Sequence, residues 1–276
     1  MVGAMEGVEF LDEVDAERLA QHEALKARVR HWSLWSWPIC IVGFGIGFAV
    51  IAGFIPPPGE SWSAHHVAAF YASNRDGIRA GLIVAMFFSA LLLPFFTVIS
   101  AEMRKIEGPS ALLAPIQFGG AVVLVTFFQI ICLLWLEASL RPGIDAQLIR
   151  AQNDYGWLVW TILIPTYSLQ FVCIAIAGVM EYRRDLLWPR WAVWANVIVA
   201  ITGAGGVLAV FDKSGALSWN GVLGFWIPVS TFAAGMTMNM VLILRRDARV
   251  AARQGARVSD TVVDRIPAAA PAAVIS

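Results

Sequence analysis

The sequence predicts an all-α polytopic membrane protein, a six-transmembrane-helix bundle with the N and C termini cytosolic. Three observations carry that expectation. Of 276 residues, 58% are hydrophobic and 14% charged, where soluble domains carry roughly a quarter charged. Six apolar segments, near 33–55, 77–99, 111–138, 155–180, 190–211 and 221–244, are each long enough to cross a bilayer with some tilt. Basic residues cluster on alternate connections: Arg28, Arg30, Arg104, Lys105, Arg183, Arg184, Arg245 and Arg246 on one side, against Arg75, Arg79, Arg141, Arg150 and Lys213 on the other. By the positive-inside rule the first group, and both termini with it, face the cytosol.

Residues 1–32 read as a cytosolic, weakly amphipathic helix. Val8, Leu11, Val14, Leu25 and Val29 fall within about 120° of one another at 100° per residue. Acids from Glu6 to Glu23 disfavour an anionic lipid surface, so the helix is either a solvated lead-in or, over 5–31, a contact for a membrane-protein partner. No apolar h-region precedes the first span, which is expected to direct insertion itself.

The spans of 33–244 follow. In the first, Gly43, Gly45 and Gly47 lie inside an apolar helix with no strand before them, so they read as packing glycines rather than a phosphate loop. Pro56–Pro58 stiffen the exit, and 61–74 reads as an outer interfacial helix bearing His65 and His66. The third apolar run is the longest: roughly 28 helical residues reach about 42 Å, well beyond a hydrocarbon core of about 30 Å. Ser110 is its expected N-cap. Pro94, Pro165 and Pro228 are expected to kink their helices. Most of the Trp residues, including Trp157, Trp160, Trp188, Trp191, Trp194, Trp219 and Trp226, read as interfacial belt anchors. Residues 245–276 read as a basic stub and a disordered tail.

Polar residues in the spans sort by depth. Counting about 1.5 Å per residue puts Gln117, Gln170, Asn196 and Asn239 in one layer, roughly 7 to 15 Å from the cytosolic face. Gln129, Glu137, Asp212, Asn220 and the histidine pair fall in the outer half or at its rim. No acidic or basic residue lies between the layers, which argues against a proton relay across the centre.

The candidate binding residues are Glu137, Gln129, Thr126, His65, His66, Asp212, Trp219 and Asn220. On a helix Glu137 lies about 20° from Thr126 and about 80° from Gln129, so the three share a sector. That sector either faces an outward-opening pocket, or Glu137 reaches to headgroups or to Arg141. Adjacent histidines diverge by about 100° and cannot easily chelate one ion, so one is expected to face water and the other the bundle. Met236 and Met240 read as gap fillers, and Cys40, Cys132 and Cys173 as small packing residues. No cofactor or metal site is suggested. Equal numbers of basic and acidic residues, 20 of each, give no reason to expect a nucleic acid partner.

The order W-P-R-W from Trp188, then F-D-K-S-G-A-L-S-W-N-G over Phe211–Gly221 and F-W-I-P from Phe225, resembles a family of uncharacterised bacterial six-span integral membrane proteins. The A-A-F-Y-A-S-N-R of Ala68–Arg75 and the M-R-K-I-E-G of Met103–Gly108 are similar too. This chain has Ser-Gly-Ala at a turn where that family leads one to expect Gly-Pro. The resemblance implies the fold, a multi-pass location in the bacterial inner membrane, and no functional residue. The sequence expectation is therefore a lipid-embedded protein that binds or passes a small, mainly apolar molecule, alone or as a subunit of an uptake or catabolic system. The alternatives are a membrane-embedded enzyme with a Glu/His acid-base pair and a structural or assembly subunit.

Overall fold

The computed structural model describes residues 2–162, 164–182, 185–211 and 213–263, with the side chains of 15–162, 166–182, 185–211 and 213–253. Among these residues the chain is helical with no strand. Six segments are long and apolar enough to cross a membrane: Asp15–Ile51, Arg75–Glu107, Leu113–Leu140, Ala146–Met180, Arg190–Val210 and Val222–Arg253. The protein is a multi-pass helical membrane protein.

Helix α1 (Val2–Gly45) continues into a π-helical turn over Ile46–Ile51. After a loop through Pro56–Pro58 comes α2 (Ala64–Ser73), capped by the Ser63 hydroxyl, which accepts from the His66 N–H at 3.3 Å. The second span is built from α3 (Arg75–Ser89) and α4 (Leu92–Glu107). Their joint at Ala90–Leu91 falls where the Pro94 ring would strike the carbonyl four residues earlier. The third span is α5 (Leu113–Leu140), and the fourth is α6 (Ala146–Ile162) with α7 (Ile164–Met180), residue 163 between them lying outside the described residues. The fifth runs from α8 (Arg190–Gly203) into a 3-10 helix over Ala204–Val210. The sixth opens with a π-helical turn, Val222–Trp226, before α9 (Ile227–Val263), and Pro228 sits at that switch.

The cap on α5 is not Ser110. Instead the Glu107 carboxylate accepts from the amides of Leu112, Leu113 and Ala114 at 2.8, 2.7 and 2.8 Å. A carboxylate there satisfies three orphan donors and sits at the positive end of the helix dipole, an arrangement a serine hydroxyl cannot match. Between the fourth and fifth spans Glu181 instead ties down the connecting turn ahead of α8, accepting from Leu187 N–H at 2.7 Å and Trp188 N–H at 3.3 Å.

Glycine spacing sets how the first span meets the second. A Cβ on Gly47 would lie 2.5 Å from the Gly81 carbonyl oxygen, and one on Gly43 would lie 2.2 Å from the Phe88 ring. These two are packing glycines. Gly45 is not: a Cβ there would meet nothing within 4 Å. It points about 200° away from its neighbours on the helix.

Apolar side chains form two cores. The one nearer the termini holds Trp37, Phe95, Phe171, Trp188 and Met236; the other holds Phe48, Phe54, Trp135, Trp157, Trp219 and Phe225. Trp157, Trp188 and Trp219 are therefore buried, while Trp191, Trp194 and Trp226 are exposed, so the belt accounts for part of the tryptophan set only. The buried rings prefer each other to headgroups: Trp135 packs on Trp157 at 4.7 Å and on Phe54 at 4.9 Å between centroids. Gln117, Gln170, Asn196 and Asn239 are all fully buried near the terminal end. Asn239 donates to Asn196 Oδ1 at 2.9 Å and to the Gly235 carbonyl at 2.9 Å, and accepts from the Trp188 indole at 2.7 Å.

Candidate functional site

A cavity of about 350 Å³ lies where the two cores meet. Every span contributes to its wall, with Phe44, Phe48, Phe128, Trp160, Phe225 and Phe232 as the principal rings. Helical spacing explains the first-span share: Ile41, Phe44, Gly45 and Phe48 recur at three- and four-residue intervals on one face. Phe48 and Trp160 stack almost parallel at 5.4 Å, and Trp160 in turn stacks on Phe225 at 6.0 Å.

The wall carries no Asp, Glu, Lys, Arg or His. Its hydroxyls are engaged by backbone: Ser89 donates to the Met86 carbonyl at 2.7 Å, Thr161 to that of Trp157 at 3.0 Å, and Tyr167 to that of Val199 at 3.2 Å. A guest here is held by shape and ring contact rather than by charge.

The spans are tied together at both ends of the cavity. Toward the termini Trp37 forms the floor, stacked on Phe95 at 5.8 Å, edge-on to Phe232 at 5.9 Å, and donating its indole N–H to Thr237 Oγ1 at 3.0 Å. Below it an ion cluster ties four spans together. Glu102 accepts from Arg30 at 3.0 Å and Lys105 at 2.6 Å, Arg246 lies 3.8 Å from Glu102 and 3.6 Å from Glu181, and Arg30 also pairs with Asp247. At the opposite end the loop after the first span is latched to the loop before the sixth. The Trp219 indole donates to the Pro58 carbonyl at 2.9 Å, and the Trp219 amide to buried Glu60 at 3.1 Å.

The candidate residues from sequence are placed as follows. Thr126 and Glu137 are exposed on the stripe of α5 that also carries Val122, Leu133 and Leu140, which is its outward face. Gln129, at the edge of that stripe and half-buried, reaches across to the second span and donates to the Met86 carbonyl at 3.0 Å and to Ser89 Oγ at 2.8 Å. Both histidines are exposed, rather than one facing the bundle, and His66 stacks on Trp62 at 4.0 Å. The flat, polarisable Trp62 ring gives that imidazole a partner at the surface. Trp219 forms the latch, and the Asn220 side chain accepts from the Ser218 hydroxyl at 2.9 Å. Asp212 lies outside the described residues. None of the described candidates lines the cavity.

Other polar groups at the latch end hold the structure. Arg79 donates to the carbonyls of Ser139 at 2.7 Å and Leu140 at 2.6 Å, closing the C-terminus of α5. Buried Tyr71 donates to Asn153 Oδ1 at 3.3 Å, and burial, helped by the nearby Asp154 charge, pushes its phenol well above its usual range. The cavity rings were not singled out from sequence because an aromatic stripe on a span reads the same whether it packs a core or walls a void.

Fold and site together define a six-span helical membrane protein with an aromatic-walled, uncharged chamber inside the bundle. Comparisons with protein-family models, with curated proteins and with solved structures find nothing that matches this chain.

Proposed function

We propose that the protein binds or passes a small, uncharged, mainly apolar molecule in this chamber. We place it in the bacterial inner membrane, alone or as a subunit of an uptake or catabolic system. One observation carries the reading: the cavity volume lies in the range of small-molecule sites, about 300 to 1,000 Å³, and its wall has neither a charge nor an unengaged hydroxyl. Such a wall rejects ions and strongly hydrated solutes, since their lost hydration would go uncompensated.

The test is native mass spectrometry with solvent extraction of the purified protein. An uncharged apolar adduct is expected on the wild type and on Phe87→Ala at the outer surface, and is lost from Ala49→Phe, which fills the chamber from its wall. An adduct retained by Ala49→Phe, or a charged ligand in its place, overturns the reading.

A second reading, an assembly subunit, is supported by α1: the helix runs on from the first span toward the N-terminus, and 15–29 is exposed throughout. Deleting residues 1–24 then disrupts a complex isolated from the native membrane without changing ligand content.

A further inference from the structure

We infer that the chamber fills sideways from the lipid phase, through a gap between the first and last spans beside Gly45. This inference rests on the binding reading above and names the route and the class of ligand. The argument begins with the three glycines of the first span. Gly43 and Gly47 press against the second span so closely that neither has room for a Cβ, whereas Gly45, on the opposite side of the helix, has open space over it and lines the chamber. Only this one of the three leaves a hole.

The last span contributes Trp226, Val229 and Ala233 to the same chamber wall as Gly45. Two wall residues reach the outer surface of the bundle at this seam: Ile41 is 40% exposed and Trp226 is 41% exposed. A side chain that is both chamber wall and outer surface marks an opening, and the surface here belongs to membrane-crossing segments. The first and last spans are fastened together below the gap, by the Trp37–Thr237 hydrogen bond and the Arg30–Asp247 pair. Above it the Trp219 latch ties the loop after the first span to the loop before the last. With the spans tied at floor and roof, the seam between them faces acyl chains.

The ligand class follows from the route. A molecule arriving this way must first dissolve in hydrocarbon, so it is uncharged and poor in hydrogen-bonding groups, as the chamber wall also demands. A free solute and the acyl chain of a resident phospholipid share this chemistry; the proposal commits to the free solute.

The experiment uses the full-length protein in phosphatidylcholine vesicles with adamantyl diazirine dissolved in the bilayer, photolysed, and the carbene adducts mapped by peptide mass spectrometry. In the wild type, adducts are expected on chamber residues Phe44 and Phe225 as well as on outward-facing Phe87. Gly45→Trp is expected to lower the chamber adducts about tenfold, the size of a single clear step in occupancy, with Phe87 unchanged. Gly119→Trp, at an exposed glycine of the third span that lies outside the chamber wall and has open space over it, should label as the wild type does. Ala233→Phe narrows the seam from the other side and gives the same loss should Gly45→Trp fail to fold. Chamber labelling undiminished in both bulky variants overturns the lateral route while leaving the binding reading standing. No chamber labelling in the wild type overturns both. Equal chamber labelling from a phospholipid carrying the diazirine on its acyl chain overturns the free solute as occupant.

Discussion

Two buried amides near the terminal end should respond oppositely to the same change. Asn239→Leu leaves the Trp188 indole and the Asn196 side chain without their partner. A buried donor so stranded costs about 1 to 3 kcal/mol, seen as a lower unfolding midpoint in detergent. Gln117→Leu removes a fully buried amide that has no hydrogen-bond partner among the described residues. Its midpoint should stay level or rise, because the desolvation of an unpaired polar group disappears with it. A comparable contrast holds in the first span. Gly47→Ala must push the two backbones apart and lower stability, while Gly45→Ala, in helical conformation with open space over it, gains up to about 1 kcal/mol of helix propensity. The depth count from sequence put all four inner-layer amides at a common level, and all four are fully buried. Nothing in the sequence separated Gln117 from Asn239, because pairing depends on which residues three helices bring together.

At the scale of elements, the clearest signals in the sequence were those written in backbone chemistry. Pro94 and Pro228 stand at joints between helical segments, where a missing N–H and a ring clash weaken the backbone ladder, although Pro38 is accommodated within the unbroken α1. The rotation of α5 about its axis was not readable. Its residues are apolar nearly all round, so no stripe in the sequence distinguishes the face carrying Thr126 and Glu137 from the face turned to the second span. The ion cluster is likewise an affair of element ends. Arg246→Met strips the buried Glu181 carboxylate of its nearby cation and should destabilise by about 3 to 5 kcal/mol. Adding Glu181→Gln should recover much of that loss, since the uncompensated charge is removed. Equilibrium unfolding of the wild type, the two single variants and the pair gives the coupling directly; additive losses would show that the two groups do not act as a unit.

Across the whole molecule, six spans were legible because crossing hydrocarbon demands long apolar helices and leaves few alternatives. The chamber was not, because its rings come from four spans and its wall from all six, and only their assembly decides whether they touch or stand apart. The latch is equally nonlocal. Trp219→Phe keeps the ring but removes the donor to the Pro58 carbonyl, a change of about 1 kcal/mol in stability. Its sharper signature is faster amide hydrogen exchange over 52–62 and 213–221, with the terminal end unaffected; unchanged exchange in those loops would mean the indole bond does not hold the roof.

That latch also has a bearing on biogenesis. Glu60 and the Trp219 amide it holds are 159 residues apart, so the loop after the first span waits for its partner until the stretch before the sixth span has been made. Until then the nascent bundle stands uncapped on that side, since a contact between such distant stretches forms only after the intervening chain is in place. Chains that terminate before the sixth span should accordingly reach the membrane with an unsealed interior and be prime substrates for quality-control proteases.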